Sequence, residues 1–85
     1  MYHGTAIRFL NSIFETGLTS QSRQHVHLSD NYTTATSVGQ RHGKPIVLVI
    51  RAQEMHKKGF DFFLSENGVW LTKVVPVDFL RKEDQ

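Results

Sequence analysis

One short segment, residues 21–30 (QSRQHVHLSD), carries the densest set of side chains in the chain that could do chemistry. His25 and His27 lie at alternate positions, and alternate side chains of an extended strand point to the same face. Val26 and Leu28 would then form the opposite, apolar face. The spacing therefore predicts a strand that buries one side and presents two imidazoles to a cleft.

Two further positions could bind a ligand. Arg23 precedes the histidine strand, and a guanidinium at such a place can bind phosphate through two parallel hydrogen bonds. A solvated surface charge is the alternative for an arginine in a loop. His3 is followed by Gly4, whose missing side chain would let a ligand approach the backbone closely. Each of these histidines could instead be structural and hydrogen-bonded to the backbone.

Metal binding and nucleophilic catalysis are two other chemistries open to these histidines. Imidazole suits Zn²⁺, but no Asp, Glu or Cys stands at a supporting spacing, so no metal site is predicted. Catalysis by a Ser-His-Asp triad has no support beyond the presence of the residue types.

The composition sets wider limits. A chain of 85 residues forms one domain at most, and its lack of cysteine excludes disulfides and thiolate metal sites. The longest apolar run, residues 46–50, is far shorter than a membrane span, and no signal peptide is visible. These features favour a cytoplasmic protein without a membrane partner. A formal net charge of +2 is only a weak indication of a nucleic-acid partner.

The first half of the chain must position the histidines. We predict a strand ending at His3, then a helix over residues 6–16 that Thr5 caps and Gly17 ends. Its core face would comprise Ala6, Leu10, Ile13, Phe14 and Gly17, with Leu18 packing back over its last turn. A polar loop would follow, then the histidine strand. Ser29 or Asp30 would cap a second helix, which the Gly-Lys-Pro run at residues 43–45 would end.

The sequence pattern in the second half of the chain predicts mostly strands. Residues 46–50 are apolar throughout, which indicates a central strand buried on both faces. A short helical turn over 52–58 ends at Gly59, and Asn-Gly at 67–68 predicts a hairpin between strands 60–64 and 69–72. Pro76 makes 74–80 an edge strand or a packed tail, and residues 81–85 are expected to fray. The elements together predict a mixed α+β domain.

Several short motifs, in this order, resemble the RNA 2′-phosphotransferase family, the NAD-dependent enzyme of tRNA splicing. They are YHGT at 2–5, GL at 17–18, SRQHVHLS at 22–29, GKP at 43–45, SENGVWLT at 65–72 and VP at 75–76. The resemblance extends over almost all of the 85 residues, and SRQHVHLS together with NGVWLT is specific. It implies an ADP-ribosyltransferase-like fold, a split mixed β-sheet with short helices and an NAD cleft between its halves.

The resemblance also implies roles for individual residues. His3, His27 and Val69 would be the three signature positions of the fold. His3 would bind the ribose next to adenine, with the backbone of Gly4 and Thr5 nearby, and His27 would lie by the nicotinamide. Val69 would stand where many protein-modifying members have a catalytic Glu.

Three residues around the histidine strand complete the implied site. Arg23 would be catalytic together with His27, and Ser22 would contact the ligand. His25, on the same strand, is included among the cofactor-binding residues.

The family's chemistry has two steps. The internal 2′-phosphate of RNA attacks the anomeric carbon of the nicotinamide ribose and expels nicotinamide, and the ribose 2″-hydroxyl then attacks phosphorus. The products are RNA with a 2′-hydroxyl, ADP-ribose 1″,2″-cyclic phosphate and nicotinamide. Cationic residues stabilise the charge that develops on the phosphoryl oxygens in the second step.

Family enzymes have two lobes, and these residues match the C-terminal, NAD-binding one. The Arg-His pair of the N-terminal RNA-binding lobe is not matched, and Arg41-His42, at the end of the second helix, cannot replace it. We therefore expect this lobe alone to bind NAD or ADP-ribose weakly and to be inactive or weakly active. Two alternatives remain open: an ADP-ribosyltransferase acting on nucleic-acid phosphates, and a non-catalytic module that binds NAD, ADP-ribose or RNA.

Overall fold

The computed structural model describes residues 1–20 and 25–83, which form a mixed α+β domain with antiparallel strand pairs. Its strands are β1 (Tyr2–Ala6), β2 (Leu18–Thr19), β3 (Val26–Leu28), β4 (Pro45–Ile50), β5 (Phe63–Leu64), β6 (Trp70–Thr72), β7 (Val74–Val75) and β8 (Leu80–Lys82). Its helices are α1 (Leu10–Thr16), α2 (Tyr32–Gln40) and α3 (Ala52–Lys57), with 3₁₀ turns at Ile7–Phe9 and Val77–Phe79. The predicted α+β class is confirmed.

One sheet is centred on β4, which lies between β1 and β8. Val47, Leu48 and Ile50 are buried, so side chains on both faces of β4 leave water. This confirms the central strand predicted from the apolar run. An all-apolar, β-branched run suits such a strand because neither of its faces meets solvent.

A second sheet has the order β3-β6-β5, and β2 pairs separately with β7. The β5–β6 pair confirms the predicted hairpin, and Gly68 takes the positive φ of 83° that its turn requires. β5 is shorter than predicted because the Phe60 amide donates to the Met55 carbonyl (3.1 Å) and closes α3 instead.

The two larger sheets meet where β1 passes β3. The amide of Tyr2 donates to the carbonyl of Ser29 (2.7 Å), and the amide of Ser29 donates back to Tyr2 (2.8 Å). Leu28, Leu48, Met55 and Val75 are among the buried residues of a common core. One hydrophobic cluster therefore holds both sheets together beneath this junction.

The start of the first helix was predicted wrongly. Thr5 does not cap a helix; it is a buried residue of β1, and Ala6, expected on the helix face, pairs with Pro45 of β4. The helix begins only at Leu10, after a 3₁₀ turn. Its end was predicted correctly, since Gly17 has φ 80° and its amide donates to the Ile13 carbonyl (2.7 Å).

Three other boundaries differ from the predictions. Asn31, rather than Ser29 or Asp30, caps α2 by accepting a hydrogen bond from the Thr34 amide (3.0 Å). Leu18 and Thr19, predicted to begin a loop, form β2. Residues 81–82, predicted to fray, belong to β8 because they pair with β4. None of the helices in the described ranges is long and apolar enough to cross a membrane.

Candidate functional site

A cavity of about 340 Å³ opens between β1, α1 and β3. Residues from these elements, together with His25 just before β3, line it: His3, Gly4, Thr5, Ser12, Ile13, Thr16, His25, Val26 and His27. The volume lies at the small end of the range for ligand pockets, about 300–1,000 Å³. The lining combines imidazoles and hydroxyls with apolar side chains, which is the mixture that binds and orients a polar organic ligand.

His3 is fixed in this cavity by the backbone of the opposite strand. Its Nδ1 donates to the carbonyl oxygen of His27 at 2.8 Å, so the hydrogen of the neutral ring is on Nδ1. Burial lowers the pKa of His3, and the nearby imidazoles of His27 and His42 lower it further against the opposing effect of the backbone hydrogen bond. The neutral ring leaves Nε2 as a hydrogen-bond acceptor.

The predicted histidine strand is present. Val26 and Leu28 are 4% and 2% exposed, while His27 between them is exposed. The two-faced strand inferred from the alternation is confirmed for Val26–Leu28; His25 lies just before the strand but lines the cavity together with His27. The ring of His25 also meets Phe63 edge-on, with centroids 5.7 Å apart.

Gly4 has a structural role that the sequence analysis did not predict. A β-carbon at this position would lie 1.7 Å from the carbonyl oxygen of Ala35, so only glycine lets α2 pack on β1 here. Gly39 makes the reciprocal contact, since its β-carbon would lie 2.6 Å from the Thr5 carbonyl oxygen. The spacing of Ala35 and Gly39, four residues apart on a helix, is a signal that could have predicted this contact.

Not every predicted site residue is brought to the cavity. Val69 immediately precedes β6 and is absent from the described lining; its amide donates to Ser65 Oγ (3.0 Å) within the hairpin turn. Ser22 and Arg23 lie outside the described residues. The structure thus places together five predicted residues: His3, Gly4, Thr5, His25 and His27.

Several lining residues were missed. Phe9, Thr19, Ser20, Val38 and His42 join the cavity wall, as do Ser12 and Thr16 on α1. Ser12 and Thr16 are one helical turn apart, and this polar pair beside the apolar face of α1 was the available signal. In the described part of the chain, no group of three or more His, Cys, Asp or Glu could hold a metal ion.

The family model and the related proteins that match this chain agree on one family. The family described as "RNA 2'-phosphotransferase, Tpt1 / KptA family" matches residues 1–74. A protein of Burkholderia lata named "Probable RNA 2'-phosphotransferase" is 54% identical over 85 residues, all of this chain and 44% of its own length. Proteins with the same name from Pectobacterium carotovorum and Acaryochloris marina are 59% and 58% identical over 94% and 93% of this chain.

These matches cover most or all of this chain but only part of each relative. The chain spans 43% of the Pectobacterium protein and 44% of the Acaryochloris protein, less than half of either. The matched region includes β1, β3 and the residues that surround the cavity. On the strength of this coverage and identity, the chain belongs to the RNA 2′-phosphotransferase family.

Proposed function

We propose that these residues form the NAD-binding catalytic lobe of an NAD-dependent RNA 2′-phosphotransferase. In this proposal the lobe has an ADP-ribosyltransferase-like fold and acts on RNA that bears an internal 2′-phosphate. The observation that carries the proposal is the cavity that His3 and His27 both line, with the His3 ring held by its Nδ1 hydrogen bond of 2.8 Å to the His27 backbone carbonyl.

The lining residues fit a nucleotide-type ligand. A neutral imidazole with a free Nε2 can accept a hydrogen bond from a ribose hydroxyl. Ser12 and Thr19 offer hydroxyl groups, and Ile13 and Val26 offer apolar contacts to a flat ring. The cavity volume suits one half of a dinucleotide, with the remainder extending along the open side.

The chain's own residues would bind and orient the ligand. NAD supplies a ribose carbon that accepts the 2′-phosphate when nicotinamide leaves. His3 would hold a ribose hydroxyl, and the His27 carbonyl would keep the His3 ring in the orientation that exposes Nε2. Arg23, by the family resemblance, would neutralise charge on the phosphoryl oxygens during cyclisation. Val69 would mark the position where protein-modifying relatives of the fold have an acidic residue.

An NMR titration tests the binding step. We expect addition of NAD or ADP-ribose to shift the amide signals of Gly4, Thr5, Arg23 and His27 in a ¹⁵N correlation spectrum of the chain. His27→Ala should weaken these shifts, whereas His56→Ala, an exposed histidine on α3 that does not line the cavity, should leave them unchanged. A well-dispersed spectrum without ligand shifts would contradict NAD binding by this lobe.

A product assay tests the catalytic step and separates the alternatives. With a 2′-phosphorylated oligonucleotide and NAD, we expect the 85 residues alone to release little or no cyclic phosphate. Accumulation of an ADP-ribosylated oligonucleotide would favour transfer to a nucleic-acid phosphate as the complete reaction. Full turnover would refute the expectation that the lobe alone is inactive, while ligand binding without nicotinamide release would favour a binding module.

A further inference from the structure

The connection between α2 and β4 brings positive charge to the rim of the cavity. The amide of Ile7 donates to the carbonyl of Lys44 (3.0 Å), which fixes residues 41–44 beside the 3₁₀ turn Ile7–Phe9. A methyl group added at Gly43 would lie 4.0 Å from Nε of Arg8. Arg8, which belongs to the turn, therefore lies next to the loop that carries Arg41 and Lys44.

Two of these cations adjoin residues of the cavity wall. Phe9 follows Arg8 and His42 follows Arg41, and both line the cavity, while Lys44 lies two residues beyond His42 in the same loop. The guanidinium of Arg8 lies over the ring of Phe9, 4.6 Å from its centroid, and Phe9 lines the cavity. Arg8, Arg41 and Lys44 are all exposed. We call these three residues the cationic rim.

None of the three rim cations forms an ion pair with a carboxylate among the described residues. Between residues 1–20 and 25–83, the single side-chain ion pair joins Arg51 to Glu54 on and beside α3. Each rim cation therefore lacks a carboxylate within 4.0 Å among the described residues. Such a group of uncompensated cations attracts a polyanion.

Helix electrostatics explains only part of this arrangement. Arg41 and Lys44 follow the C-terminus of α2, where a positive charge stabilises a helix. Arg8 is part neither of α2 nor of the loop that follows it, but belongs to the 3₁₀ turn beside that loop. What all three share is their place on two segments, the 3₁₀ turn and the loop over 41–44, which the Ile7-to-Lys44 hydrogen bond joins and which contribute Phe9 and His42 to the cavity wall.

We propose that the cationic rim binds the RNA backbone next to the nucleotide that carries the 2′-phosphate. This inference rests on the proposed function and assigns part of RNA binding to the NAD-binding lobe itself. The rim cations lie outside the cavity, exposed, and on two separate segments, which suits successive phosphodiesters of a strand passing the opening. Lys and Arg contacts to RNA phosphates place the strand without reading its sequence.

The salt dependence of RNA binding tests the rim. We compare the chain with the triple variant R8Q/R41Q/K44Q, using fluorescence anisotropy of a short single-stranded RNA with one internal 2′-phosphate. Since each phosphate contact contributes about 0.7 to the slope of log affinity against log salt, the slope should become shallower by about 2. The affinity near 0.1 M salt should fall at least about tenfold for the same reason.

A second triple variant controls for net charge. K57Q/K58Q/K73Q removes three exposed lysines that do not line the cavity, so both triple variants carry the same formal charge. We expect the control to retain most of the wild-type slope. Equal losses in both variants, no loss in either, or no RNA binding by the wild-type chain would overturn the proposal.

Titration with NAD distinguishes this proposal from the function on which it rests. The rim variant should bind NAD as the wild type does; loss of NAD binding to the same degree as RNA binding would assign the rim to the NAD pyrophosphate and overturn our inference. If the wild type binds NAD but the rim variant binds RNA normally, only the rim proposal fails. If the rim variant alone loses RNA binding while no form binds NAD, the rim proposal stands and the proposed function fails.

Thermal melting completes the test. A melting temperature that falls in the rim variant while its RNA affinity stays at the wild-type value would show that these cations serve the α2 terminus, which also overturns the proposal. A loss of RNA affinity at an unchanged melting temperature supports it.

Discussion

Two regions near the cavity are built differently. One is the β1–α2 layer, which packs Tyr2–Ala6 against Tyr32–Gln40, and the other is the β5–β6 hairpin. In the layer, Gly4 and Gly39 bring strand and helix backbones into direct contact, and Thr5 and Ala35 are buried. In the hairpin, Phe63 and Leu64 are 47% and 58% exposed. We therefore expect the layer to tolerate almost no increase in side-chain volume, whereas the outer strand of the hairpin should tolerate many substitutions.

This difference separates residues that fix the site from residues that surround it. His3 belongs to the layer and keeps its orientation through the layer's packing and the His27 carbonyl. The ring of His25 instead contacts Phe63 of the hairpin. Substitutions in the layer should therefore lower the free energy of unfolding more than substitutions in the outer strand of the hairpin. The following experiments measure that difference.

The largest effect is expected for Gly4→Ala. Its new methyl group would meet the Ala35 carbonyl oxygen at 1.7 Å, and relief requires α2 to move away from β1. We expect a loss of about 3 kcal/mol or more in the free energy of unfolding, enough to leave much of the protein unfolded. Urea denaturation measures this loss of stability.

Gly68→Ala is the control in the hairpin, where φ is 83° but nothing lies within 4 Å, and it should cost only about 1 kcal/mol. Equal costs would contradict the comparison.

The buried side of β6 should be sensitive to substitution, as the layer is, although the outer strand of the hairpin is not. Thr72 is 1% exposed, and its hydroxyl donates to the Asp61 carbonyl at 2.8 Å. Thr72→Val preserves the shape but removes this bond, so we expect a loss of about 1–2 kcal/mol in urea denaturation. Thr19→Val, at an exposed position of β2, should change the free energy of unfolding by less than about 0.5 kcal/mol. A cost at Thr72 no larger than at Thr19 would show that this bond does not hold the hairpin.

His3 should make stability depend on pH. Because burial lowers the pKa of His3 in the folded protein, the unfolded chain binds the proton more tightly. The stabilisation is therefore complete above the ordinary value of 6.5 and is lost as the pH falls through the lowered pKa. We expect the urea midpoint to fall on acidification from pH 7, and His3→Asn, which keeps a donor near Nδ1, to reduce that fall.

Two further variants complete the His3 experiment. His3→Ala should cost about 1 kcal/mol at pH 7 because the bond to the His27 carbonyl is lost. His56→Asn, at an exposed position on α3, is the matched control for removal of an imidazole. An undiminished pH dependence in His3→Asn would show that His3 is not the group responsible.

The smallest effect is expected on the outer strand of the hairpin. Leu64→Ser should change the free energy of unfolding by less than about 0.5 kcal/mol because the side chain is already largely in water. Leu28→Ala, at a position only 2% exposed, sets the scale with a cost of about 2–5 kcal/mol. A large loss of stability at Leu64 would show that the outer strand is packed in solution.

The features predicted correctly from the sequence are those with a local physical cause. Alternating side chains fixed the two faces of β3, and the turn around Asn67-Gly68 fixed the hairpin. Gly17 ended α1 because a left-handed residue costs glycine little. Part of the candidate site was accessible in the same way, since the spacing of His25 and His27 predicted that both would line one cleft, and both line the cavity.

The features that were missed depend on partners distant in sequence. Ala6 belongs to a strand because Pro45 lies beside it, and Arg81 and Lys82 pair with β4, so β8 extends over residues that were predicted to fray. Gly4 matched a ligand-binding motif, but its close neighbour is the backbone of α2.

The sequence by itself determined the family, the strand alternation at the histidines and the main turns, because short-range sterics and motif identity depend only on neighbouring residues. The tertiary structure alone decided that His3 donates to the His27 carbonyl and that Arg8 adjoins the loop carrying Arg41 and Lys44. Both follow from strand pairing over long separations, and the free energy of such pairing comes from packing that no local segment can form.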